Sequence, residues 1–387
     1  MRILLTVPRF GGGIVGGAER LALEIATCAV GEDDDLEVAT TCAVDHHTWA
    51  NALPPGVDRV AGLTVRRFPV GARDVARHQE LRARLALQGR LRYADELELM
   101  GTDVWSAELQ TFLEREGNAY DLLLFTPYLF GTTFWGAQAW PERSALIPCL
   151  HDEPHAYLRC MRQVIESCAG CLFNSAAEER LARRLYRVRG GGVVGLGFDH
   201  ADRPEARSPS APASDYFIYA GRLEEAKRVD VAVEYVERFA HDEGRDVKLV
   251  LIGSGPYTPP RSARTVVPLG WVSEDEKRSL MAGAVALVHP SELESLSIVL
   301  MEAWLMATPA IVAHGSEVMR DHCAASGGGL TFAHYDDFAE AAVILLDNPD
   351  RRDLMGASGR EYVLSTSSWE AVRDRFRAVT HKLVTSR

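Results

Sequence analysis

No apolar run in this chain approaches the length of a membrane span, and Met1-Arg-Ile-Leu-Leu-Thr-Val7 reads as a strand rather than a signal peptide. Positive charge is short as well. The 387 residues carry a formal charge of -12 at pH 7, which argues against a general nucleic-acid binder. The seven cysteines are an odd number, and the single close pair, Cys168-Ala-Gly-Cys171, has no second pair nearby to complete a zinc site. Cys171 opens an apolar run, so the cysteines read as buried, reduced thiols of a cytoplasmic protein. No internal repeat is evident. The glycines after the first strand lack the Gly-x-Gly-x-x-Gly spacing, so a dinucleotide fingerprint is not supported.

What is present is globular and too long for one ordinary domain: 47% apolar and 25% charged residues. Strand and helix patterns alternate throughout. Arg2–Val7 is followed by Gly11-Gly-Gly-Ile-Val-Gly-Gly17 and an amphipathic helix over 18–30, the start of a doubly wound fold. Gly16 and Gly17 belong to a loop whose backbone N–H groups can come close to a ligand. Further strands are expected at 36–41, 63–68, 122–125, 145–150 and 170–173. Capping boxes at Ser175–Glu178 and Ser273–Glu276 open two helices. Arg180, Arg183, Arg184 and Arg187 share one helical face, and 73–92 is a second Arg-rich helical stretch. Both read as solvated basic faces ahead of a peripheral membrane contact. Glu32–Asp35 reads as a polar surface turn, not a metal motif.

Composition changes at 201–214, a Pro-, Ser- and Ala-rich stretch that reads as a linker between an N-terminal domain, 1–200, and a second one, 215–365. A second strand–helix series follows, with strands at 216–220, 247–252, 266–268, 285–288 and 310–312. Residues 366–387 form a final helix expected to pack back on the first domain.

One stretch stands apart. Between two apolar strands lies Glu294-Ser-Leu-Ser-Ile-Val-Leu-Met-Glu302, two acids separated by seven residues around a helix apolar on almost every side. Such a helix is buried, so an acid within it needs a reason. Ser297 is the expected N-cap, with Glu294 just outside the helix and Glu302 inside. The free N–H groups of the first turn and the positive end of the helix dipole suit an anion.

These residues resemble retaining glycosyltransferases of family 4. The resemblance rests on Ala220-Gly-Arg-Leu-Glu-Glu-Ala-Lys227, Leu249–Pro256 with its turn at Gly253, the Leu269-Gly-Trp-Val272-Ser273 turn, and His289–Glu294 through Glu302. In the first half it is thinner: the Gly-rich loop with Ala18-Glu-Arg20, Leu150-His-Asp152 and Phe173-Asn-Ser175. The resemblance implies an α/β GT-B fold, two doubly wound Rossmann-like domains facing a central cleft. It also implies transfer of a sugar, with retention of configuration, from a nucleoside diphosphate sugar to a glycan or small-molecule acceptor held mainly by the first domain. It places Arg222 and Lys227 on the leaving phosphates, Glu294 on the donor sugar with the backbone of Leu296 and Ser297 nearby, Glu302 on the ribose, and His151 near the reacting centre. Gly16, Gly17, Gly253, Val272 and Ile298 complete the donor-binding set. No cofactor and no metal are implied, although His151 and His155 invite a metal reading that lacks a third ligand. The sequence departs from the family at Ser295-Leu-Ser297, where Gly-Phe-Gly is usual, and at Arg228, where glycine commonly follows the lysine. A nucleotide-sugar epimerase and a non-catalytic sugar-nucleotide-binding partner are the alternatives. The base, sugar, acceptor and oligomeric state stay open.

Overall fold

Every residue of Ile3, Leu4, Leu5 and Val7 is buried, as a strand covered on both faces requires. This strand, β1 (Arg2–Val7), lies inside a sheet with β2 (Asp35–Thr41), β3 (Gly56–Val60), β4 (Leu63–Phe68), β5 (Leu122–Phe125), β6 (Ser144–Leu146), β7 (Gly170–Phe173) and β8 (Gly191–Val193). The order is β3-β4-β2-β1-β5-β6-β7-β8, parallel except for the β3–β4 hairpin. The computed structural model describes all residues except Gly12, Val15, Glu32, Asp33, Glu205 and Arg387. Parts of the expected Gly11–Gly17 loop, the Glu32–Asp35 turn and the 201–214 stretch therefore lie outside the described residues.

The second sheet contains β9 (Asp215–Ala220), β10 (Val247–Ile252), β11 (Val266–Gly270), β12 (Ala286–His289), β13 (Ala310–Ala313) and β14 (Gly329–Phe332). Its order, β11-β10-β9-β12-β13-β14, is all parallel and reverses direction between β9 and β12. That reversal is the topological switch point, where ligands of doubly wound sheets bind beyond the strands' C-terminal ends.

The chain divides into two compact units, Met1–Gly197 with Trp369–Arg387, and Phe198–Ser368. In the first, the ring of Trp369 fills the space that a side chain at 197 would need, which calls for the glycine there. Arg375 donates to the Val194 carbonyl at 2.9 Å, and Phe376 and Leu383 are buried.

Residues 201–214, expected as a linker, are strapped to the second unit. The Arg360 guanidinium donates to the Ala201 carbonyl at 2.8 Å and Arg203 to that of Ala282 at 2.8 Å. Ser210 donates to the Glu276 carboxylate at 2.6 Å. The expected capping box at Ser273 is thus half a box: Ser273 accepts from the Glu276 N–H, but the Glu276 carboxylate turns to the strap. Glu178 behaves alike. Its N–H reaches Ser175, while its buried carboxylate accepts from the N–H groups of Leu150 at 2.6 Å and Asn174 at 2.5 Å. That carboxylate ties the end of the β6 segment to the end of β7. Burial outweighs these bonds and pushes its pKa up to about 8.

One expected strand is shorter than its apolar run. β6 stops at Leu146 because Pro148 has no N–H to give a ladder and Cys149 sits at φ 52.

Candidate active site

The helix Ile298–Leu305 is the next element after β12, and most of it is buried: Leu300, Met301, Ala303, Trp304 and Leu305 are all inside. Trp304 anchors it, donating to the Gly328 carbonyl at 2.9 Å and packing edge-on against Tyr362. Burying each such side chain contributes roughly 1.5–3 kcal/mol, so the helix start is held by a rigid core.

Ser297 occupies the N-cap position but does not cap. Its backbone is left-handed, φ 67 and ψ 76, and its side chain accepts no bond from the helix. This corrects the expectation of a hydroxyl cap: the carbonyl of Ser297 takes the N–H groups of Leu300 and Met301, but its left-handed backbone is not the extended one of a capping serine. Ser297 is 4% exposed, and among the described residues its hydroxyl has no hydrogen-bond partner; the same is true of His289 and its Nε2. A non-glycine residue here costs about 1–3 kcal/mol.

Glu294 leaves this connection toward Lys227, whose Nζ donates to Oε1 at 2.7 Å. His289 Nε2 lies 3.5 Å from the same oxygen. Burial pushes the Glu294 pKa up, but Lys227 and His289 outweigh it and hold it down to about 2. Burial also lowers the His289 pKa to about 4, so the ring is neutral at pH 7. Lys227 closes the short helical turn Glu225–Lys227 after β9. It meets Glu294 because β9 and β12 are neighbours at the switch point. Arg228, the departure from glycine, adopts φ 52 and pairs with Glu292.

Arg222 lies on the same connection but is half exposed, and its guanidinium pairs with Glu224 at 3.1 Å. The buried Tyr219 donates to the Arg222 carbonyl at 2.8 Å. Gly253 has a packing reason: a side chain there would strike the Gly221 carbonyl, and its N–H donates to Gly270 at 2.8 Å. Val272 is half-buried in the turn ahead of the helix Glu274–Ala282, beside the exposed Trp271. Leu296 is buried, and Ile298 is half-buried at the helix start.

Glu302 has a partner that sequence reasoning missed. Lys277, on the helix Glu274–Ala282, donates to its Oε1 at 3.0 Å and also reaches Glu274. A signal existed: of 42 lysines and arginines only four are lysines, at 227, 248, 277 and 382. Two of the four pair with the two acids of the signature.

Gly16, Gly17 and His151 belong to the first unit. Gly16 precedes the helix Gly17–Glu24, and the Glu19 side chain occupies the space a Cβ at 16 would take. His151 is half-buried, with Nδ1 3.5 Å from Glu153 Oε1. His155 approaches the other Glu153 oxygen at 3.8 Å, and Tyr128 donates to the carboxylate at 2.9 Å. Burial raises the Glu153 pKa, yet the two histidines hold it well below the usual carboxylate range. Among the described residues no group of three or more His, Cys, Asp or Glu side chains is arranged to hold a metal ion. The basic faces are paired as well: Arg183 with Glu179, Arg184 with Asp152, and Arg77 with Glu98. Among the described residues no helix is long and apolar enough to cross a membrane. All seven cysteines are free.

Residues 214–348 match the family described as glycosyl transferases group 1. The second unit carries a group 1 glycosyltransferase domain. Over nearly its whole length the chain is similar to D-inositol 3-phosphate glycosyltransferase 2 of Catenulispora acidiphila, 25% identical over 93% of this chain and 88% of that one. Across 34% of the chain it is 30% identical to a GDP-mannose-dependent monoacylated alpha-(1-6)-phosphatidylinositol monomannoside mannosyltransferase of Corynebacterium glutamicum, spanning 38% of that protein. Among solved structures it resembles sucrose-phosphate synthase from Thermosynechococcus elongatus, with a TM-score of 0.71 at 15% identity over all of both chains. It also resembles HepE of Anabaena in complex with UDP and glucose, with a TM-score of 0.71 at 14% identity over 99% of this chain and 100% of that one. The fold is GT-B. Nothing in these likenesses supports the epimerase alternative. In the glycosyltransferase domain, Lys227, Glu294, Lys277 and Glu302 form two ion pairs around the start of one buried helix.

Proposed function

We propose that the protein moves a sugar from a nucleoside diphosphate sugar to a sugar or small-molecule acceptor, with retention of configuration and without a metal. The observation that carries this reading is the Lys227–Glu294 pair, 2.7 Å apart at the switch point of the glycosyltransferase domain. An ionised Glu294 accepts hydrogen bonds from donor-sugar hydroxyls. Lys227, with Arg222 on the same connection, balances the charge that develops on the leaving diphosphate. Glu302, steadied by Lys277, accepts from the ribose hydroxyls. The relatives support the donor class: one acts with GDP-mannose, and one solved neighbour binds UDP and glucose. In the retaining step the anomeric carbon loses its bond to the phosphate oxygen and gains one to the acceptor oxygen on the same face. The acceptor proton passes to the departing phosphate. No protein nucleophile is then required, and the two acids serve as grips, unlike the paired carboxylates of glycoside hydrolases.

A thermal-shift screen with UDP, GDP and TDP tests the reading. A nucleotide at 100 times its Kd stabilises by about 2.7 kcal/mol, and the largest shift names the base. No shift with any of the three overturns the proposal. With the donor found, the anomeric proton coupling of the product reports retention or inversion. Turnover surviving EDTA is the outcome expected of a metal-independent site.

A further inference from the structure

We infer that the Ser297 hydroxyl is a direct hydrogen-bond donor to the terminal phosphate of the bound nucleoside diphosphate. This inference rests on the glycosyltransferase reading and adds a contact to it. Three observations meet at Ser297. Its φ of 67 is a backbone that favours glycine, yet the residue is serine. The residue is 4% exposed and its hydroxyl has no partner among the described residues, where a buried hydroxyl is ordinarily bonded. It stands at the N-cap of the helix Ile298–Leu305 without capping it, so its side chain takes none of the first-turn N–H groups, and Ile298 and Val299 keep theirs at the positive end of the helix. Serine is the costlier residue for this turn, and nothing among the described residues bonds its hydroxyl. An anion at the helix start supplies the missing acceptor. The terminal phosphate is the group that fits, because Ser297 lies between Glu294, the grip on the sugar, and Glu302, the grip on the ribose. The neutral His289 leaves Lys227 as the cation beside Glu294, so the pair carries no excess positive charge of its own. The hydroxyl therefore adds donor capacity without adding charge.

Two variants of the full chain separate hydroxyl from backbone. S297A keeps the unfavourable turn and loses the hydroxyl; S297G loses both. Calorimetric titration with UDP, GDP and TDP, and with the matching monophosphates, is expected to give the diphosphate roughly ten-fold weaker binding in both variants. The monophosphate affinity is expected to be unchanged in S297A. S297G is expected to melt roughly 2–4 °C above wild type, as release of the turn's strain requires, while S297A does not. Diphosphate binding undiminished in S297A overturns the inference and leaves the glycosyltransferase reading intact. Equal losses for mono- and diphosphate overturn the assignment to the terminal phosphate. If the wild type binds none of the three diphosphates, the underlying reading falls and takes this one with it.

Discussion

Lys227 and Glu294 are 67 positions apart in the chain and 2.7 Å apart in space. The half-buried carboxylate stays ionised because that ammonium faces it, and each partner leaves a charge uncompensated if the other is removed. Lys227→Ala is therefore expected to lower kcat by about 10²–10³-fold, the range for losing one electrostatic contact to a developing charge. Steady-state kinetics with the donor named by the thermal screen provide the check. A variant within about three-fold of wild type would remove Lys227 from the chemistry.

Lys277 and Glu302 form the second pair, at 3.0 Å. With Glu302 on the ribose, Lys277 acts as a positioning residue. Lys277→Met is expected to raise the donor KM about ten-fold with kcat little changed, and Glu302→Gln to do the same. The double variant should lose no more than the worse single one, since both changes break one unit. Additive losses would show that the two residues act separately.

Glu294 and Glu178 give opposite pH dependences. The folded pKa of Glu294, about 2, lies below its ordinary value near 4.5. Its contribution to stability is therefore complete above about pH 4.5 and is lost as pH falls toward 2. The folded pKa of Glu178, about 8, lies above the same ordinary value. Its contribution is complete below about pH 4.5 and is lost as pH rises through 8. Urea unfolding of Glu178→Gln across pH 5–8 should lack the decline that wild type shows there, even though the variant starts less stable. Parallel pH curves for the two proteins would rule out titration of Glu178 in this window.

The strap over 201–214 depends on Glu276, which accepts from Ser210 at 2.6 Å. Glu276→Ala is expected to destabilise the protein by about 1–2 kcal/mol, the usual cost of a lost charged hydrogen bond. Cleavage by a protease of low specificity should then speed up between Ala201 and Ser214. An unchanged digestion pattern would mean that the remaining bonds, those from Arg360, Arg203 and Ser279 among them, hold the segment without it.

Much of the architecture is legible in the sequence. β5 and β7 fall where short apolar runs put them, because strands buried on both faces write themselves as uninterrupted hydrophobics. β3, β8 and β14 escape such a reading. β3 is an exposed edge strand of mixed composition, and β8 and β14 are three or four residues long and begin with glycine. At the site, the spacing of Glu294 and Glu302 and the apolar helix between them are local facts of the chain. The idle hydroxyl of Ser297 is not, since a serine before a helix ordinarily caps it and only the left-handed turn prevents that.

The sequence by itself determined two doubly wound units, a buried helix carrying an acid at each side of its start, and a chain with only four lysines. Periodicity, composition and spacing are properties of neighbours along the chain, and they need no partner to be read. Which cation meets which acid was decided by tertiary structure alone. Lys227 reaches Glu294 because β9 lies beside β12, although β10 and β11 intervene in the chain. Lys277 reaches Glu302 because the helix Glu274–Ala282 packs against the helix Ile298–Leu305. An ion pair exists only where the fold brings two charges within a few ångströms, and strand order, which the local pattern does not encode, sets that distance.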